Sequence, residues 1–160
     1  MRVGLMPTKA GGTRLADAFE TLVLLMARVR ILQRALRREE RRLERKGKTQ
    51  KLQLADGWPT ITFFNLYLAS VHVLIEAWDN GVFHDDQVYD LLKRGDRSTL
   101  RRFRNGVFHA GPFNSDKLIA IYRRHREVQD WADQVLDAVT AFVKRELDRR
   151  RVGAIRRPPA

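Results

Sequence analysis

The sequence contains no cysteine, which excludes disulfide scaffolds, thiol nucleophiles and thiolate zinc sites together. Acidic residues are also scarce: 19 Asp and Glu stand against 31 Lys and Arg, leaving a formal charge of +12. Such an excess favours a polyanionic partner, either nucleic acid or an anionic membrane surface, and says nothing about fold. No stretch alternates apolar and polar residues as a half-buried strand does, and no internal repeat is evident. The apolar stretch Leu22 to Ala27 is too short for a signal peptide and no small-residue cleavage pattern follows it. A reducing compartment is permitted and a cytoplasmic location expected.

What is present is one domain's worth of chain. Of the 160 residues 44% are hydrophobic and 9% aromatic, enough for a proper core. Apolar residues at 15, 18, 22, 25, 29, 32 and 36 alternate by threes and fours, the seam of an amphipathic helix. This pattern predicts a helix from about Arg14 to about Lys46, with Gly11, Gly12 and Thr13 before its start and Gly47 as its stop. A second helix is expected with Pro59 in its first turn and its end at Asn80 and Gly81. Trp58 to Ile75 is uncharged, close to the shortest membrane span, but Pro59, Thr60, Thr62, Asn65, Ser70 and His72 fit a buried bundle helix better.

A short third helix over Asp85 to Arg94 is closed by Gly95, and Asp96 or Ser98 caps a fourth from about Thr99 to Ala110. The last helix is expected from near Asn114 to about Arg150, with Leu118, Ile121, His125, Val128, Ala132, Val135, Val139 and Phe142 as its seam. The expected fold is therefore all-α: an antiparallel helical bundle over 14–150, with two long helices, two or three shorter ones and a basic helical arm. Residues 1–13 and the basic tail 151–160 are expected to be disordered ends.

Arginine outnumbers lysine 24 to 7, and the charge is uneven. Between Arg28 and Lys51 eleven basic residues face three acidic ones, a balance of +8, with smaller clusters from Lys93 to Arg104 and from Arg149 to Arg157. Glu39 with Arg42, and Arg41 with Glu44, stand at helical spacing, so part of this run fits a solvated helix face.

The four histidines separate by position. His125 lies on the last seam and reads as a hydrogen-bonded core residue, and His84 beside Asp85 and Asp86 as a surface residue. His72, with Glu76 and Asp79 one and two turns later, reads as a buried polar contact between helices in preference to a metal site. No metal or cofactor is expected. His109 differs: Leu100, Phe103, Val107 and Ala110 form the core stripe of the fourth helix, while His109 falls on the other side. Asn105 lies one turn before it and Arg101 another turn back, Arg102 shares that face, and Arg104 is offset.

An imidazole near its ordinary pKa of about 6.5 can take or give a proton at neutrality, and arginine matches phosphate oxygens and the charge that grows in phosphoryl transfer. RNA supplies its own nucleophile in the 2′-hydroxyl, so a base, an acid and a cationic clamp suffice for cleavage. The residue set fits RNA cleavage and simple phosphate binding equally.

The run Arg104-Asn105-Gly106-Val107-Phe108-His109 resembles the signature of the HEPN superfamily (higher eukaryotes and prokaryotes nucleotide-binding): an Arg, then a polar residue that is commonly Asn, with His after four to six intervening positions. Many members are metal-independent endoribonucleases, often toxins or defence effectors, that cut RNA where two motifs meet across a dimer. The resemblance implies His109 as acid or base, Arg104 as phosphate clamp and Asn105 as the residue positioning them. It also implies a homodimer and an antitoxin or effector-complex partner. On this reading Arg101 and Arg102, with Arg37, Arg38, Arg41, Arg42, Arg45 and Lys46 of the basic arm, grip RNA backbone without reading its sequence, and no membrane is involved. Gly111 stands where members paired with a nucleotidyltransferase antitoxin often carry Tyr, which speaks against regulation through such a Tyr. The alternative is a non-catalytic nucleic-acid-binding or assembly subunit of a defence or ribonucleoprotein complex.

Overall fold

The apolar seams of the sequence become the contact lines of a helical bundle. The computed structural model describes residues 9–49, 54–81, 83–108 and 125–155. They form α1 (Lys9–Thr49), α2 (Leu54–Asn80), α3 (Asp86–Arg94), α4 (Arg97–Phe108) and α5 (His125–Ile155), with no strand among the described residues. α2 lies at the centre and packs against α1 on one side, α4 on another and α5 on a third. Its Tyr67, Leu68, Val71 and Leu74 are completely buried. The stretch Asp56–Asn80 is long and apolar enough to cross a membrane by length and composition, and here its apolar residues make the bundle core.

The predicted seams hold. Leu22, Val29 and Leu36 of α1 and Val128, Ala132, Val135 and Val139 of α5 are buried, whereas Leu15, at the start of the α1 seam, is half exposed. Phe19 also joins the core, and an aromatic cluster closes one end, with Trp78 edge-on to Phe142 at 4.8 Å between ring centroids.

Helix lengths differ from expectation. α1 begins before Gly11 and Gly12 and runs past Gly47, and α5 continues to Ile155. Interior glycine costs a helix only about 1 kcal/mol relative to alanine, a small sum for a helix anchored along its length. Lys46 pairs with Asp56 at 2.5 Å on the neighbouring α2, holding the last turns of α1 in place.

α2 starts at Leu54, so Pro59 is inside it and not in its first turn, and three helices are long where two were expected. Pro59 cannot donate to the carbonyl of Ala55. The defect lies beside the Asp56 carbonyl, which accepts a bond from Arg42 at 3.0 Å. The basic arm is thus the second half of α1, docked on the bundle through the buried Leu36 and through Arg42 and Lys46. The expected stop at Gly111 and the start of the last helix before His125 lie outside the described residues.

Two short helices bridge the long ones. Asp85 caps α3 by accepting from the Val88 amide at 3.1 Å, and Asp96 does the same for Thr99 at the start of α4. Gly95 ends α3 in an extended conformation, not the left-handed one that favours glycine. Its reason is space: a Cβ there would run into the indole of Trp131, whose Nε1 donates to the Leu91 carbonyl at 2.9 Å.

Candidate functional site

α4 lies antiparallel to α2 and buries Leu100 and Phe103 against it, the latter meeting Phe64 edge-on at 5.6 Å. Burial of that stripe fixes the rotation of the helix. Arg101, Arg102 and Asn105 face solvent, while Arg104 sits half-buried at the margin of the α2–α4 contact. Arg104 Nη1 donates to Asn105 Oδ1 at 3.1 Å, joining the first two residues of the motif. His109 and Ala110 lie outside the described residues, and so does the side chain of Val107 with its expected core role.

Along the α2–α4 contact the polar residues form a short ladder. Arg97 pairs with Asp79 at one end. Toward the other, His72 on α2 is buried with its Nδ1 3.5 Å from Glu76 Oε2, too poorly aligned for a hydrogen bond. Burial lowers the His72 pKa, the Glu76 carboxylate opposes this, and the positive charges of Arg104 and Arg97 reinforce it. His72 is therefore held neutral at pH 7, close enough to Arg104 to sense its charge. The expected buried polar reading of His72 agrees with this. Asp79 is taken up by Arg97, and no cluster of three potential metal ligands occurs among the described residues.

This coupling of His72 to Arg104 was missed in the sequence, although a signal is there. His72, Glu76 and Asp79 stand at i, i+4 and i+7, and so do Arg97, Arg101 and Arg104. Arg97 and Arg104 of the second set oppose the first across the antiparallel contact, while Arg101 faces solvent. His125 is placed in α5, but its side chain lies outside the described residues, and His84 is exposed as expected.

The basic residues of α1 divide into two groups. Arg38, Arg41 and Arg45 are exposed. Arg37 pairs with Asp133 and Glu40, Arg42 with Glu39 at 2.5 Å, and Lys46 with Asp56 at 2.5 Å. Arg42 and Lys46 are held at Asp56, eight residues before Phe64 on α2 and so about 12 Å along the axis from the ring that meets Phe103 of α4.

A cleft between α1, α2 and α5 is lined by apolar Leu36, Leu43, Ile61 and Phe64, with Arg37 and Arg126 set against Glu40, Glu44 and Asp130. Carboxylates outnumber cations there, so it is a poor seat for a polyanion. The outer face of α4 offers exposed Arg101 and Arg102, the latter within reach of the charge of Asp96, and of the two places it is the one better suited to phosphate. The chain matches no protein-family model, no curated protein and no solved structure.

Proposed function

We propose that the chain is a HEPN-type endoribonuclease, with its working groups at the end of α4. The observation that carries this reading is the joined pair Arg104 and Asn105, beside solvent-facing Arg101 and Arg102 on a helix whose other face is core. His109 follows four positions after Asn105. A base removes the 2′-hydroxyl proton, the oxygen attacks the adjacent phosphorus, the bond to the 5′ oxygen breaks, and an acid returns a proton to that oxygen. His109 takes one of the two proton roles. Arg104, held by Asn105, neutralises the charge on the phosphoryl oxygens as the transition state forms. A second copy supplies the other proton carrier where two motifs meet. Arg101 and Arg102 hold the backbone through its phosphates, which requires no base reading. A toxin or defence role, with an antitoxin or effector-complex partner, belongs to the same proposal.

The test is cleavage of structured and single-stranded RNA in chelator, with the product ends analysed. The expected products carry a 2′,3′-cyclic phosphate and a 5′-hydroxyl, and His109→Ala lowers the rate roughly 100- to 10,000-fold with its helicity unchanged. Equal cleavage by the variant overturns the assignment, as does an inert wild type across RNAs and salt concentrations. Tight, salt-sensitive binding without cleavage, retained in His109→Ala, supports the assembly-subunit reading instead.

A further inference from the structure

α1 carries a second seam on the side opposite its buried Leu22, Val29 and Leu36. Asp17, Glu20, Leu24, Ile31, Arg34 and Arg38 are all exposed there, and with Ala27 they alternate by threes and fours. Leu24 and Ile31 are 61% and 65% exposed, unusual for large apolar side chains on a helix that has already buried one face. The charges are sorted along the helix: acidic before the apolar centre, basic after it. Among the described residues none of Asp17, Glu20, Arg34 and Arg38 makes an ion pair.

This order complements itself when reversed. Leu24 and Ile31 are equidistant from the point between Ala27 and Arg28, and so are Asp17 and Arg38; Glu20 and Arg34 match to within one residue. We propose that this face is an interface between two copies of the chain, pairing α1 with α1 antiparallel about a two-fold axis. Leu24 of each copy meets Ile31 of the other, and Asp17 and Glu20 meet Arg38 and Arg34. A parallel pairing would set arginine against arginine and carboxylate against carboxylate. Because α2 lies between α1 and α4, this interface is separate from the α4 site, and its test makes no reference to cleavage.

The absence of native cysteine makes the test clean. Asp17→Cys and Arg38→Cys proteins are prepared singly, then oxidised alone and as an equal mixture in the full chain. The expected result is a covalent dimer in the mixture and little in either protein alone. Sedimentation of the otherwise native chain is expected to show self-association that Leu24→Glu weakens roughly tenfold or more and that high salt also weakens, whereas association through the α4 site alone would survive Leu24→Glu. Self-association unchanged by Leu24→Glu overturns this proposal and leaves the α4 reading standing, a monomer at all concentrations overturns both, and efficient crosslinking of either single variant with itself overturns the antiparallel pairing. A monomeric chain that binds anionic vesicles through Leu24 and Ile31 would also overturn it and assign the face to a membrane surface.

Discussion

Arginines a few residues apart on α1 meet two different fates. Arg30 donates to Asp137 at 2.6 Å and Thr140 at 2.8 Å on α5, and Arg37 pairs with Asp133, which also accepts from Gln33 at 2.8 Å and from the buried Tyr67 hydroxyl. Burial, then the bond to Asp133, pushes the Tyr67 phenol well above its ordinary pKa, so it stays a donor throughout the working range. Arg34 and Arg38, on the other face, are exposed. The exposed α4 residues Arg101 and Arg102 resemble the second pair and not the first. Arg30 and Arg37 are thus spent on aligning α1 with α5, whereas Arg34, Arg38, Arg101 and Arg102 are left on the surface for a partner.

The largest expected effect that tests this contrast is at Asp133. Asp133→Ala leaves Tyr67 and Arg37 without their shared acceptor and should cost about 3 kcal/mol, read from chemical denaturation, with RNA affinity unchanged for the folded fraction. A loss under 1 kcal/mol would place these arginines with the exposed ones.

Next comes the cap of α4. Hydrogen bonds from Ser98 and Thr99 hold Asp96 at a pKa of about 2, below its ordinary 3.8. Because the folded value is depressed, this stabilisation is complete above about pH 4 and lost as pH falls toward 2. Asp96→Ala should cost about 1 kcal/mol at neutral pH and remove that acid dependence, measured by thermal melts across the window. His72 adds a milder slope at higher pH. Its folded pKa also lies below its unfolded value of 6.5, so stability is lost as pH falls below 6.5, and His72→Leu should flatten that limb.

The smallest stability effects belong to the exposed set. Arg101→Ala and Arg102→Ala should change stability by no more than about 0.5 kcal/mol, yet each should reduce the slope of log affinity for RNA against log salt by about 1. Variants that unfold the chain without changing the slope would erase the difference between the two groups.

The bundle was legible in the sequence wherever packing sets a period. The seams through Leu22, Val29 and Leu36, and through Val128, Ala132 and Val135, read directly as helix faces. The end of α2 at Asn80 and Gly81 was also legible, as was a cap at Asp96 or Ser98, of which Asp96 takes the role, while Asp85, expected as the first residue of α3, is its cap. The ends of α1 were not legible, since tertiary contacts such as Lys46 to Asp56 outweigh the cost of Gly47. Nor was the pairing of Arg30 and Arg37, whose partners lie roughly a hundred residues away and are chosen by the register of α1 on α5. At the candidate site, the outward face of Arg101, Arg102 and Asn105 followed from the stripe of Leu100 and Phe103, whereas the influence of Arg104 on His72 needed the antiparallel docking of α4.

The central claim is that the end of α4 cuts RNA, and the most direct measurement compares cleavage with binding for wild type, Arg104→Ala and His109→Ala on one RNA in chelator. Both variants are expected to lose at least about 100-fold in cleavage rate while their RNA affinity changes only a few-fold. Cleavage by both variants at the wild-type rate would contradict the account.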